Sequence, residues 1–168
     1  MDGHCPSRDG TIFNVEAEMR IISKSEDETL ELGRQLAGAL RFGQTIALEG
    51  ELGAGKTVLS RGVARGLGVT EAVTSPTFTV VQEYRLPAGG MFFHLDMYRI
   101  DNSESALAFG IEDFLFAVDA ITLVEWPERI PDLLPSPQTL RIRLSHSDHD
   151  RRLIELPDEL GENIAWKI

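Results

Sequence analysis

Eight residues near the middle of the chain, Gly50-Glu51-Leu52-Gly53-Ala54-Gly55-Lys56-Thr57, match the pattern G-x-x-x-x-G-K-[ST] at every fixed position. The chemistry such a segment can do is phosphate binding. Its glycines accept backbone conformations closed to other residues, so successive N–H groups can turn inward around phosphate oxygens. The N-terminus of a following helix adds further N–H donors and a favourable dipole. In this arrangement Lys56 reaches the β- and γ-phosphates, and the Thr57 hydroxyl is a magnesium ligand. The competing reading is a chance glycine-rich turn. Context weighs against it. Thr45 to Leu48 is a short apolar run before the loop, and Val58, Leu59, Val63, Ala64 and Leu67 recur at helical spacing after it, ending at Gly66 and Gly68. None of the three lysines, Lys24, Lys56 and Lys167, lies in an [NT]-K-x-D segment of the kind that reads guanine, which favours ATP over GTP.

A magnesium–nucleotide site also needs a carboxylate at the end of a buried strand. Glu125 stands there, directly after the apolar Ile121-Thr122-Leu123-Val124. The alternative for Glu125 is an ordinary capping residue. Trp126 beside it is expected in the core, with shielding of the site as the other option. Asp96 is the second acid. In a strand, His94, Asp96 and Tyr98 share one face, which is either an exposed sheet face or the wall of the site. In the latter case Asp96 orients the attacking water or holds a magnesium-bound one. Arg99 either stabilises transferred charge or makes a surface ion pair. The hydroxyls of Thr74-Ser75-Pro76-Thr77 either sense the γ-phosphate or belong to a plain turn. His146 and His149 have no third partner for a metal, so His146 to Asp150 is read as a solvated turn.

The elements that must position these groups follow from periodicity and turn signals. Met19 to Ser23 reads as a strand. Ser25 caps a helix whose first turn is acidic, whose apolar face carries Leu30, Leu36, Ala37 and Leu40, and which Gly43 can stop. Phe78 to Tyr84 and Met91 to Tyr98 read as strands joined by a hairpin turn at Leu86 to Gly90. Ser103 to Phe116 reads as one helix with Ser103 as its cap. Ala120 to Val124 is a buried strand, Leu140 to Leu144 and Arg152 to Leu156 alternate as strands, and the tail from Pro157 is expected to be peripheral.

At 168 residues the chain suits one domain, here 19–168, after a polar leader at 1–18. A single cysteine, Cys5, allows no internal disulfide. No secretory signal and no membrane-spanning run is apparent, so a cytoplasmic protein is expected. The net charge of −11 argues against a direct grip on a nucleic-acid backbone.

Taken in order, Thr29 with Leu32-Gly33, the segment Leu48 to Thr57, Ser75-Pro76-Thr77-Phe78, Tyr84, His94-Leu95-Asp96-Met97-Tyr98-Arg99, Glu125-Trp126-Pro127-Glu128 and Arg152 resemble one family. This is the small bacterial ATPase of tRNA N6-threonylcarbamoyladenosine modification, TsaE (formerly YjeE). The resemblance runs from about Ser25 to Leu156. It implies an α/β fold, a single P-loop nucleotide-binding domain with a mixed central sheet flanked by helices. It implies ATP and Mg2+ as cofactors, with Thr57 and Glu125 holding the metal and Lys56, Asp96 and Glu125 as the catalytic set. The nucleotide contacts expected are Glu51, Leu52, Gly53, Ala54, Gly55, Lys56, Thr57, Val58 and Thr77, with the Ser75-Pro76-Thr77 segment acting as a switch. It further implies slow hydrolysis alone, TsaB- and TsaD-type partner proteins that carry the transfer chemistry, and only indirect contact with tRNA. Two positions depart from the pattern. Glu51 stands where the family often has Asp, and Val58 where it often has a second hydroxyl, which leaves open a contact made from that side chain. A small-molecule kinase and a non-catalytic nucleotide-dependent binding module are the other readings. The first lacks an arginine-rich insertion here, and the second does not need Lys56, Thr57, Asp96 and Glu125 together.

Overall fold

A computed structural model describes residues 18–148, 150–162 and 164–165. Among them, seven strands form one mixed sheet: β1 (Glu18–Ser23), β2 (Thr45–Glu49), β3 (Val81–Arg85), β4 (Met91–Asp96), β5 (Ala120–Glu125), β6 (Thr139–His146) and β7 (Arg152–Pro157), in the order β1-β7-β6-β2-β5-β4-β3. The central pairs β6–β2, β2–β5 and β5–β4 are parallel, and the outer pairs are antiparallel. Central parallel strands are covered on both faces, which explains the unbroken apolar character of β2 and β5.

Helices α1 (Glu26–Leu36) and α2 (Lys56–Gly66) cover one face; α3 (Ser103–Ala108) and α4 (Glu112–Leu115) lie on the other. The alternation of the strands sorts the core accordingly. In β5, Ile121 and Leu123 face the α1–α2 side while Ala120 and Val124 face the α3–α4 side; in β4, Phe92 faces the first and Phe93 and Leu95 the second. By the same alternation His94, Asp96 and Glu125 fall on the α1–α2 side, at the strand ends nearest the start of α2.

The α1–α2 contact depends on glycine. A Cβ on Gly62 would lie 2.2 Å from the Leu30 carbonyl oxygen and 2.9 Å from the Gly33 Cα, so neither helix can carry a larger residue there without moving. Gly62→Val is expected to cost about 3 kcal/mol or more, read as a lowered urea midpoint; a wild-type midpoint would refute this close approach.

Several expectations are corrected. The first helix ends at Leu36 and continues only as a 3-10 turn, Ala37–Ala39; Gly43, at φ 86°, belongs to the turn into β2. The segment expected to be one helix over Ser103–Phe116 is two short helices, because Gly110 sits at φ 70° between them, and the cap is Asn102, whose side chain accepts from the Ser105 N–H. The strand expected from Phe78 starts only at Val81, since Val80 adopts φ 67°. Past Pro157 the chain is not peripheral: it forms α5 (Asp158–Gly161), with Leu160 buried in the core. The leader lies outside the described residues apart from Glu18, which begins β1. Among the described residues, no helix is long and apolar enough to cross a membrane.

Candidate nucleotide site

The loop between β2 and α2 runs through glycines that no other residue could replace without strain: Gly50, Gly53 and Gly55 have φ of 151°, 78° and 104°. The turn ends on the first residue of α2, so Lys56 projects across the loop mouth. Its ammonium donates to the Gly50 carbonyl (2.6 Å) and the Glu51 carbonyl (2.8 Å) and lies 4.1 Å from the ring centroid of Trp126. Lys56 is only 5 % exposed. Burial pulls its ammonium below the usual lysine range, opposed in part by the charges of Glu125, Glu128 and Asp96.

Parallel pairing decides where the acids go. The register of β4 on β5 sets Asp96 opposite Glu125, and the register of β2 on β5 sets Leu48, just before the loop, opposite the same Glu125. Both carboxylates are therefore at the loop, and both are buried, at 3 % and 2 % exposure. Glu125 Oε2 accepts from the Thr57 hydroxyl at 3.3 Å; Oε1 lies 2.8 Å from His94 Nε2 and 3.2 Å from the Ser60 hydroxyl, whose single proton is shared with the Lys56 carbonyl at 2.8 Å. One oxygen of Glu125 is thus anchored inward, and the other is turned toward Thr57. Asp96 Oδ2 accepts from the hydroxyls of Ser75 (2.8 Å) and Thr77 (2.9 Å), and Oδ1 from the Tyr98 N–H (2.9 Å). The main chain repeats this clasp: the Val80 N–H donates to the Pro76 carbonyl and the Asp96 N–H to the Val80 carbonyl. The segment before β3 is in this way tied to Asp96 at two levels.

These groups surround a cavity of about 300 Å³. Of the loop residues expected to contact a nucleotide, Leu52, Gly53, Gly55, Lys56, Thr57 and Val58 line it, as does Thr77; the acids Asp96 and Glu125 form its floor. The side chains of Glu51 and Ala54 do not line it. Glu51 is exposed, while Ala54 is packed in the core beneath the loop. Trp126, expected in the core, is half-buried and walls the cavity together with Tyr98, their ring centroids 5.1 Å apart. Trp126 (φ 59°) and Val80 (φ 67°) are the only non-glycine residues at positive φ among the described residues; Trp126 lines this cavity, while Val80 is packed on the other face of the sheet and reaches the site only through its backbone bond to Asp96. Arg99 is not at the site: it is exposed, with its guanidinium 4.3 Å above the Phe78 ring. His146 ends β6 near Gly53, His149 lies outside the described residues, and among the described residues no group of three His, Cys, Asp or Glu could hold a metal.

Sequence reasoning missed the contacts of Ser60 and His94 with Glu125 and the presence of Arg152 in the cavity wall. Ser60 was within reach of such reasoning, since it lies one helical turn beyond Lys56 and Thr57 on the same face. Arg152 is one of the residues that carry the family resemblance, but its place in the cavity wall was not legible, because only the sheet order brings the start of β7 to the loop.

A family model described as threonylcarbamoyl adenosine biosynthesis protein TsaE matches residues 23–154. A Synechocystis protein named tRNA threonylcarbamoyladenosine biosynthesis protein TsaE is 44% identical over 124 residues, 70% of this chain and 76% of that protein. A Nostoc protein of the same name is 36% identical over 151 residues, 86% of this chain and 88% of that protein. Among solved structures, Bacillus subtilis YdiB superposes with a TM-score of 0.72 at 29% identity, covering 87% of this chain and 93% of that one.

Proposed function

The chain belongs to the TsaE family of tRNA threonylcarbamoyladenosine biosynthesis proteins, and from that premise we propose that it binds ATP with Mg2+ at the Gly50–Thr57 loop and hydrolyses it, slowly alone and faster with TsaB- and TsaD-type partner proteins. The observation that carries this reading is the convergence of Lys56, Thr57, Asp96 and Glu125 at the ends of β2, β4 and β5. The donor set fits magnesium. Thr57 Oγ1 and Glu125 Oε2 lie 3.3 Å apart, an alcohol and a carboxylate oxygen. Two such protein ligands suit an ion that keeps waters and takes phosphate oxygens for the rest of its octahedron. When bound, the ion would neutralise charge on the phosphate oxygens.

The remaining roles belong to the chain itself. Loop N–H groups and the start of α2 cradle phosphate oxygens. Lys56 exchanges its two loop carbonyls for the β- and γ-phosphates. Ser60 and His94 hold one oxygen of Glu125 so that the other stays aimed at Thr57. Three of the roughly four acceptor positions of Asp96 are occupied by Ser75, Thr77 and Tyr98. That leaves one for aligning the attacking water, and makes Asp96 the link between hydrolysis and the Ser75-Pro76-Thr77 segment. Trp126 and Tyr98 limit solvent at the cavity wall. With 27 acidic against 16 basic residues, the chain reaches tRNA only through its partners.

Phosphate release measured with and without TsaB- and TsaD-type proteins tests this function. Stimulation by the partners, with no small-molecule acceptor present, is expected. ADP formation that requires such an acceptor would make the protein a kinase instead, and bound ATP that never turns over would make it a binding module.

A further inference from the structure

A groove of about 580 Å³ lies at the end of the sheet opposite the glycine-rich loop, lined by Arg41, Phe42, Leu115, Phe116, Val118 and Pro135 among others. Its place follows from strand direction. Phe42 precedes β2 and Val118 precedes β5, so both stand at strand starts, whereas the loop follows a strand end. The groove is firmly built. The Gly43 N–H donates to the Ala120 carbonyl at 2.8 Å and the Thr45 N–H to the Gln138 carbonyl at 3.0 Å. The Phe42 ring packs so closely on Gly90 that a Cβ there would lie 2.8 Å from it. Even so, Phe42 and Phe116 are 49 % and 58 % exposed, and Val118 is 83 % exposed. Three large apolar side chains open to solvent in one groove mark a binding surface.

The chain itself carries a segment that fits. Residues 1–17 precede β1, and their apolar stretch is Thr11-Ile12-Phe13-Asn14-Val15, flanked by Asp9 and Glu16. This leader lies outside the described residues, and the family-model match begins only at residue 23. Sheet topology fixes where the leader joins the fold. β1 is antiparallel to β7 and β7 to β6, while β6 is parallel to β2, so Glu18 enters the sheet at the end where the groove lies. In the strand order β1-β7-β6-β2 the groove at β2 is about 14 Å across the sheet from β1. From Phe13 to Glu18 the extended chain spans up to about 17 Å. Charge matches as well: Arg41 makes no ion pair among the described residues and stands ready for the leader's acids. A tethered segment has an effective concentration on the order of millimolar, so a few apolar side chains are enough to hold it. A second copy has no such advantage, since two chains of net charge −11 repel each other.

We propose that residues 11–16 of this chain dock in the groove at the starts of β2 and β5, with Ile12, Phe13 and Val15 against Phe42, Phe116 and Val118 and the flanking acids beside Arg41. The groove is thus a receptor for the chain's own leader. It lies at the far end of the sheet from the nucleotide cavity and does not depend on the nucleotide reading.

The test uses the full chain as wild type, Val118→Asp and Phe13→Asp, with a synthetic peptide of residues 1–17 as the reference. Amide hydrogen exchange is followed residue by residue by NMR, and the state of association by sedimentation. In the wild type, the amides of residues 12–15 are expected to exchange at least tenfold more slowly than in the peptide. Val118→Asp, a change at an exposed position, should return them to the peptide's rate. Phe13→Asp should do the same and should also speed exchange at Ala117 and Val118, which loss of a leader held elsewhere would not. Peptide-like exchange in the wild type overturns the proposal, and so does slow exchange that survives Val118→Asp. A dimer that Val118→Asp dissociates assigns the groove to a second copy and overturns it as well. Phe13→Asp leaves every groove side chain in place, so it decides the matter if Val118→Asp folds poorly: unchanged exchange at Ala117 and Val118 then refutes docking.

Discussion

Lys56→Ala is expected to lower affinity for magnesium–ATP by about 100-fold or more, roughly 3 kcal/mol. Among the described residues the ammonium is the only lysine charge at the loop, and hydrogen bonds from a cation to phosphate oxygens are among the strongest that a protein makes. The loss should not be a folding defect. Lys56 Nζ is bonded to two carbonyls, and the second belongs to Glu51, an exposed residue of the loop where water can take over. Contact with the Trp126 ring is lost as well, a contribution of about 1 kcal/mol. Calorimetric titration with an ATP analogue beside a thermal unfolding curve separates the two effects. Affinity within threefold of wild type would end the case for the loop as a phosphate site.

Glu125→Gln is expected to reduce magnesium-dependent phosphate release by about 10²- to 10³-fold, while nucleotide affinity in the presence of a chelator stays near wild type. The reason is local. Oε1 of Glu125 faces the Ser60 hydroxyl and the His94 ring, and Oε2 faces Thr57. In the amide, the remaining oxygen is held at the Oε1 position, 2.8 Å from His94 Nε2, whose proton an acceptor-only carboxylate oxygen already takes. The NH2 group then points at Thr57, placing hydrogens where a metal would need a lone pair. The replacement conserves size, so a buried position that is 2 % exposed need not be repacked. Turnover assays across a magnesium series, with binding measured in chelator, read both halves. Phosphate release within twofold of wild type would remove Glu125 from the metal site.

Much of this architecture was legible in the residues because it is set by local rules. Gly50 to Thr57 is a turn that only its glycines permit, and the strand before it and the helix after it carry their own periodicities. Ser25 caps α1 as its type suggests, accepting from the Glu28 N–H. The turn at Leu86–Gly90 follows from Pro87 and two glycines at positive φ. The failures are equally physical. Helical spacing continues through Gly110, so the sequence predicts one helix over Ser103 to Phe116, and a single glycine is compatible with either outcome until tertiary packing chooses. For Trp126 the sequence offers the core, with shielding of the site as the alternative; its left-handed backbone and the cavity-wall position of its ring decide for the second.

What the chain by itself determined, then, is the inventory: a phosphate-type loop between a buried strand and a helix, an acid at the end of another strand, and a polar face of His94, Asp96 and Tyr98 of undecided direction. Only the tertiary structure decided which of these meet. The parallel register that sets Asp96 beside Glu125 and Glu125 beside Leu48 joins residues up to 77 positions apart, and such pairing depends on sheet order. The same holds for Arg152, which no local pattern ties to Gly55. Its place follows from β7 lying antiparallel on β6, so that the first residue of a late strand arrives at the loop. Local sequence rules act over a few residues, whereas the site is assembled from strand ends whose neighbours are chosen by burial of both sheet faces.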